Sequence, residues 1–136
     1  MLWDTQGVAR GEFDLVYGVN VLHVAKELLF SLSQARDALG ADGWLVIGEC
    51  VRPYVNQPIY AELIFQILDS FTDVNTDPEI RPNPGFLTAD QWRRAFTRAG
   101  FECAEVTPDV DRIREVYSHF FTGAICGQRA ARNDVR

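Results

Sequence analysis

Four residues stand where two apolar runs end. FDLVYGV (13–19) is followed at once by Asn20 and then His23, and WLVIGEC (44–50) carries Glu49 next to its last position. An imidazole titrates near neutrality, so His23 can orient a substrate or take a proton. Asn20 offers a donor and an acceptor together. Gly18, without a side chain, lets a ligand approach the backbone. Glu49 can accept a substrate hydrogen bond. Each has a plainer reading: Asn20 as cap of the next helix, His23 as a partly buried helix-start residue, Glu49 as partner of a helix dipole or of Arg52. His23 and Glu27 stand one helical turn apart, but a metal needs further ligands and His119 is the only other histidine, so no metal site is expected. No G-x-S-x-G elbow and no P-loop occurs.

These residues need elements to hold them. The run 13–19 reads as a buried strand. Residues 25–39 carry Leu28, Leu29, Leu32, Ala35 and Leu39 on one helical face, with Gly40 as C-cap and a turn at Asp42-Gly43. The run 44–50 reads as a second strand. Strand, helix, strand over this length predicts a parallel βαβ unit, and in such sheets ligands bind at the carboxyl ends of the strands. That places Gly18, Asn20, His23 and Glu49 at one edge.

Beyond Pro53 and Pro58, the residues Tyr60, Leu63, Ile64, Ile67, Leu68 and Phe71 form a 3-4 stripe and predict a helix of about 12 residues facing the core. Phe65 leaves that stripe and is the better interface candidate. The loop 72–85 is rich in proline. Thr88 and Gln91 have capping-box spacing and open a helix that Gly100 closes, with Trp92, Ala95, Phe96 and Ala99 inward. Residues 101–106 and 119–129 read as two adjacent antiparallel strands, with a loop or short helical turn between. A single domain over 1–129 and a flexible tail over 130–136 are expected.

The totals agree with one α/β domain. The 136 residues are 47% hydrophobic and 24% charged. Twelve arginines and one lysine face nineteen acids, a formal charge of −6. An acidic chain repels phosphate backbones, so no nucleic-acid partner is expected. No 18-residue apolar stretch and no signal peptide is present, so no membrane partner is expected. Cys50, Cys103 and Cys126 are odd in number, widely spaced and set in apolar runs, which predicts buried, reduced thiols and a cytoplasmic setting.

FDLVYGVNVLH, a helix, ADGWLVIGE, then GFLTADQWRRAFTRAGF and an antiparallel strand pair resemble, in that order, the C-terminal half of class I S-adenosylmethionine-dependent methyltransferases. The likeness is greatest to small-molecule methyltransferases and the methyltransferase domains of polyketide synthases, and covers roughly residues 12–128. It implies a partial Rossmann-like sheet, its strands resembling 4-5-7-6 with the last antiparallel, flanked by helices. It also implies S-adenosylmethionine as cofactor and a small-molecule substrate. Gly18, Asn20 and His23 would face the cofactor, and His23 or Glu49 would be base or orienter. Asp4 would meet the adenine amino group if MLWD is a strand remnant, and Tyr54 and Tyr60 would set substrate choice. The family's glycine-rich loop and ribose-binding acid do not occur in this sequence, so the chain is expected to be inactive alone. A strand 13–19 left at an edge is expected to pair in a homodimer. The alternative is a non-catalytic dimerisation or binding module derived from the same fold.

Overall fold

A computed structural model describes residues 1–131; the part of the expected tail at 132–136 lies outside the described residues. The chain runs β1 (Phe13–Val19), a 3-10 turn (Leu22–Val24), α1 (Leu28–Ala38), β2 (Leu39–Cys50), α2 (Tyr60–Phe65), α3 (Asp69–Thr72), α4 (Ala89–Arg98), β3 (Phe101–Thr107), α5 (Val110–Arg114) and β4 (Thr122–Arg129). The four strands form one mixed sheet in the order β1-β2-β4-β3. β1 and β2 are parallel, while β4 is antiparallel to both β2 and β3. The expected α/β sheet order is therefore present.

Alternation along β2 sorts its two faces. Leu45, Ile47 and Glu49 point under the helices and are about 1% exposed, with Ile125 of β4 beside them. Trp44 points the other way, paired with Leu15, and is 38% exposed. α1 and α4 pack against each other on the buried face through Leu28, Leu32, Ala35, Trp92, Ala95 and Phe96. Arg36 of α1 donates to the Ala99 carbonyl oxygen at the end of α4 (2.6 Å). The sheet thus carries its core on one face; among the described residues the face of Leu15, Tyr17 and Trp44 has no helix over it.

α4 is capped as its spacing predicts: Thr88 Oγ1 accepts the Gln91 N–H (3.2 Å) and Gln91 Oε1 accepts the Thr88 N–H (2.9 Å). α1 departs from its prediction at both ends. Residues 22–24 form a separate 3-10 turn, and the helix starts at Leu28. Its end is not a glycine cap: Leu39 is already extended and pairs with Phe13, and Gly40 lies inside β2. A Cβ on Gly40 would sit 3.3 Å from the Gly11 carbonyl oxygen, so close backbone approach explains the glycine.

The largest departure is the stripe from 60 to 71. The chain breaks between α2 and α3, and Tyr60, Leu63, Ile64, Ile67 and Leu68 are exposed, whereas Phe71 is buried. Phe65, the residue off the stripe, packs on Phe71 and Phe86 while staying 36% exposed. The reason is Glu62, whose carboxylate is drawn fully under the chain and rotates the stripe outward. No helix among the described residues is long and apolar enough to cross a membrane.

All three cysteines are free. Cys103, expected to be buried, is exposed, with φ of 51° at the irregularity between Glu102 and Glu105. Burial raises the Cys50 and Cys126 thiols above their ordinary value, with Glu49 and then Glu62 adding to Cys50. Both therefore hold less thiolate at pH 8. Iodoacetamide at that pH is expected to modify Cys103 ahead of Cys50 and Cys126, read by peptide mass spectrometry over time.

Candidate active site

β1 ends where Asn20 takes a left-handed conformation (φ 52°), which asparagine tolerates better than most residues. Its N–H still donates to the Gly48 carbonyl oxygen (2.8 Å), so the parallel ladder persists to the turn. The turn then lays Val21, Leu22 and His23 across the end of β2. Gly18, in β1, leaves room for the turn, because a Cβ there would lie 2.8 Å from a methyl group of Val21.

Glu49 lies beneath this turn, 1% exposed. One oxygen, Oε1, accepts the N–H groups of Val21 (3.1 Å), Leu22 (2.9 Å) and His23 (3.4 Å). The other, Oε2, is 2.8 Å from His23 Nδ1. A carboxylate only accepts, so Nδ1 carries the proton and Nε2 is the basic nitrogen. His23 is itself 5% exposed. Its ring packs against Phe86 at a tilt of 43° (centroids 4.4 Å apart) and lies edge-on to Phe71 (5.8 Å). The arrangement is an acid-oriented imidazole in an aromatic surround, the form of a general base.

Two arginines tie down the chain around it. Arg52 and Glu62 form a buried pair, with Arg52 Nε 2.9 Å and Nη2 2.5 Å from the carboxylate. Glu62 also accepts the Ile59 N–H (2.7 Å) and the Phe86 N–H (3.0 Å). Arg81, 2% exposed, donates to the carbonyl oxygens of Ala25 (2.7 Å), Lys26 (2.9 Å) and Asn75 (2.6 Å), joining the segment after His23 to the proline-rich loop. Burial holds the Arg81 guanidinium below its ordinary value, although Glu27 and Asp77 oppose this.

The structure brings His23 and Glu49 together and sets Gly18 and Asn20 at the adjoining strand end. It does not bring in the other candidates. Asp4 lies in a single 3-10 turn (Asp4–Gln6), not a strand, and pairs with Arg10 on the surface (2.9 Å). Trp3 holds this segment by donating its N–H to Gln34 of α1 (3.0 Å) and packing on the core. Tyr54 and Tyr60 are exposed and line a cleft of about 470 Å³ with Arg114, His119 and Phe121, which includes neither His23 nor Glu49. The plain reading of Glu49 as Arg52's partner does not hold, since Arg52 takes Glu62. Sequence reasoning missed Phe71, Phe86 and the Arg52–Glu62 pair. One signal was available: Glu62 interrupts an otherwise apolar segment, three residues after a would-be helix start.

No protein-family model matches the chain. It is 38% identical over 97 residues to polyketide synthase ThaG of Burkholderia thailandensis, covering 71% of this chain and 2% of that protein. It is 32% identical over 126 residues to hybrid PKS-NRPS synthetase buaA of Petromyces alliaceus, covering 92% and 3%. Among solved structures, the CurJ carbon methyltransferase matches with a TM-score of 0.78 and 28% identity over 94% of this chain and 32% of its own. The DszA carbon methyltransferase matches at 0.76 and 25%, over 95% and 31%. The trans-methyltransferase CalH, solved with SAH, shares the fold at 0.70 and 23%, over 96% and 34%. The resemblance to S-adenosylmethionine-dependent methyltransferases is thus present in sequence and in fold. The chain spans about a third of these three solved structures and a few per cent of the curated relatives.

Replacing Glu49 by glutamine leaves one acceptor and turns an amide donor toward Nδ1. Glu49→Gln is expected to destabilise the chain by about 2 kcal/mol, the scale of hydrogen bonds to a buried charged group. Urea denaturation checks this, and an unchanged midpoint would show that the carboxylate does not hold the turn.

Proposed function

We propose that this chain is the C-terminal part of an S-adenosylmethionine-dependent carbon methyltransferase acting on a small carbon acid, a thioester or ketone of polyketide type. The observation that carries the reading is the buried His23–Glu49 pair at the carboxyl end of two parallel strands. Oxygen or nitrogen acceptors already hold a lone pair, whereas a carbon flanked by carbonyls must first lose a proton. A base oriented by a carboxylate and excluded from bulk water suits that need.

The residues fit part of the cofactor. Gly18 and Asn20 at the strand end, with an apolar groove of about 310 Å³ lined by Trp3, Val16, Gly18, Val21, Leu22 and Ile47, would hold the side nearest the methyl donor. The glycine-rich loop and ribose-binding acid would come from elsewhere. S-adenosylmethionine, when bound, supplies a methyl group on a sulfonium centre. His23 Nε2 takes the proton from the substrate carbon, and the Glu49 carboxylate stabilises the imidazolium that forms. Phe71 and Phe86 keep the ring dry and fixed in plane. This chain contributes the base, its orientation and one side of the donor groove. Three free cysteines support a cytoplasmic setting.

Calorimetric titration of the chain with S-adenosylhomocysteine is expected to show no micromolar binding, and the chain alone no transfer. With these residues joined to a cofactor-binding half such as that of CurJ, His23→Ala is expected to lower transfer to a β-keto thioester by about 10²–10⁴-fold. Full transfer by His23→Ala, with the domain folded, would remove the base reading.

A second reading has its own observation. β1 is an edge strand whose Leu15, Tyr17 and Val19 are 53, 75 and 64% exposed. An apolar edge of this kind suits pairing with a second copy, as in a dimerisation module. Light scattering over a micromolar concentration series is expected to give a dimer mass that Tyr17→Lys reduces to a monomer. A monomer throughout would remove this reading.

A further inference from the structure

We propose that the buried Arg52–Glu62 pair is a positioning device for His23, acting through Phe86 to fix the plane of the imidazole. This rests on the reading of His23 as the base for its catalytic consequence, though not for its structural one.

The path is short and each link is on a buried or backbone group. Arg52 leaves the end of β2 two residues beyond Cys50 and is 4% exposed, while Glu62 of α2 is wholly buried. Arg52 spends its donors on Glu62 and on the carbonyl oxygens of Val55 (3.1 Å) and Pro84 (3.0 Å). Glu62 spends its acceptors on Arg52, Ile59 N–H and Phe86 N–H. The pair therefore ties together the end of β2, the start of α2 and the chain at 84–86. Phe86, fixed by its N–H, lays its ring on His23. Phe65 and Phe71 close the same aromatic cluster from α2 and α3.

Gly85 confirms that the carboxylate's place is specific. Its φ of 105° is one that only glycine adopts readily, and a Cβ there would collide with Glu62 Oε1 and Arg52 Nη2. The chain gives up a side chain at 85 so that the ion pair can reach the Phe86 N–H. A buried ion pair is a poor source of net stability compared with apolar residues of the same volume. Its worth is directional: it holds three segments at one point, one of them carrying the ring that faces the base. Glu49 sets which nitrogen of His23 is basic, and Phe86 sets where that nitrogen points.

The test reads His23 directly. In the 136-residue chain, NMR follows the ring-proton shifts of His23, which feel the Phe86 ring current. Phe86→Leu gives the reference change. Glu62→Ala is expected to move the His23 shifts in the same direction by at least half as much, and Glu62→Gln, which keeps an acceptor for the Phe86 N–H, to return them toward wild type. Gly127→Ala is the control for lost stability alone: its Cβ would press on the Phe96 ring, and His23 should not respond. If Glu62→Ala does not fold, Arg52→Lys decides by a smaller shift in the same direction. Wild-type His23 shifts in folded Glu62→Ala, or in folded Arg52→Lys where Glu62→Ala does not fold, overturn the proposal. In a complete domain Glu62→Ala is expected to lower kcat roughly tenfold with KM unchanged, the scale of a misplaced reacting group. Wild-type kcat there, with His23→Ala inactive, would overturn positioning and leave the base reading standing. Full activity of His23→Ala would do the reverse.

Discussion

A carboxylate taken out of water must find partners for both oxygens or the fold pays several kcal/mol for it. Glu49 meets that constraint with one turn of chain. Three consecutive N–H groups converge on Oε1 and the imidazole on Oε2. The residues after β1 can reach β2 only if Asn20 bends into the left-handed region and Gly18 leaves room for Val21. The same geometry forces His23 inward and fixes its proton on Nδ1. Folding the turn and orienting the imidazole are therefore one event, not two.

The loops around this centre follow the same rule with the signs reversed. Arg52 and Arg81 are cations with almost no exposure, and each is met by carbonyl oxygens as well as, for Arg52, a carboxylate. Irregular backbone between Val51 and Leu87 leaves many carbonyls without strand or helix partners. A planar guanidinium with several fixed donors can satisfy three of them at once. The outcome is a proline-rich stretch held almost as firmly as a regular element, and Phe71 and Phe86 inherit that firmness.

Much of this was legible in the sequence where one local pattern sufficed. The strands at 13–19 and 101–106, the capping box of Thr88 and Gln91, and the parallel-then-antiparallel order follow from periodicity and punctuation, the structure extending the second strand to Thr107. The placement of His23 and Glu49 at one sheet edge followed from strand ends alone. Their direct contact did not, because it depends on a left-handed Asn20 and a turn length that no periodicity encodes. The stripe from Tyr60 to Phe71 misled for a related reason. Apolar spacing says which residues share a face, not which way the face turns. At 60–71 the direction is set by Glu62 reaching a partner ten residues back. Asp4 failed more simply: four residues before a glycine carry too little pattern to tell a strand from a turn.

The two faces of the sheet then divide the work. On the helical face, Leu45, Ile47 and Glu49 alternate inward, so the residue that orients His23 lies in register with the core. On the other, Leu15, Tyr17 and Trp44 form an apolar surface larger than a solvated sheet face calls for. A ligand at the strand ends touches the boundary between the two. Gly18, on the helical side, and Val19, on the open side, are neighbours in β1, so whatever covers the open face also bounds the groove where the methyl donor is proposed to sit. The His23–Glu49 pair forms wholly within this chain, whereas the groove beside it lies along the edge strand β1.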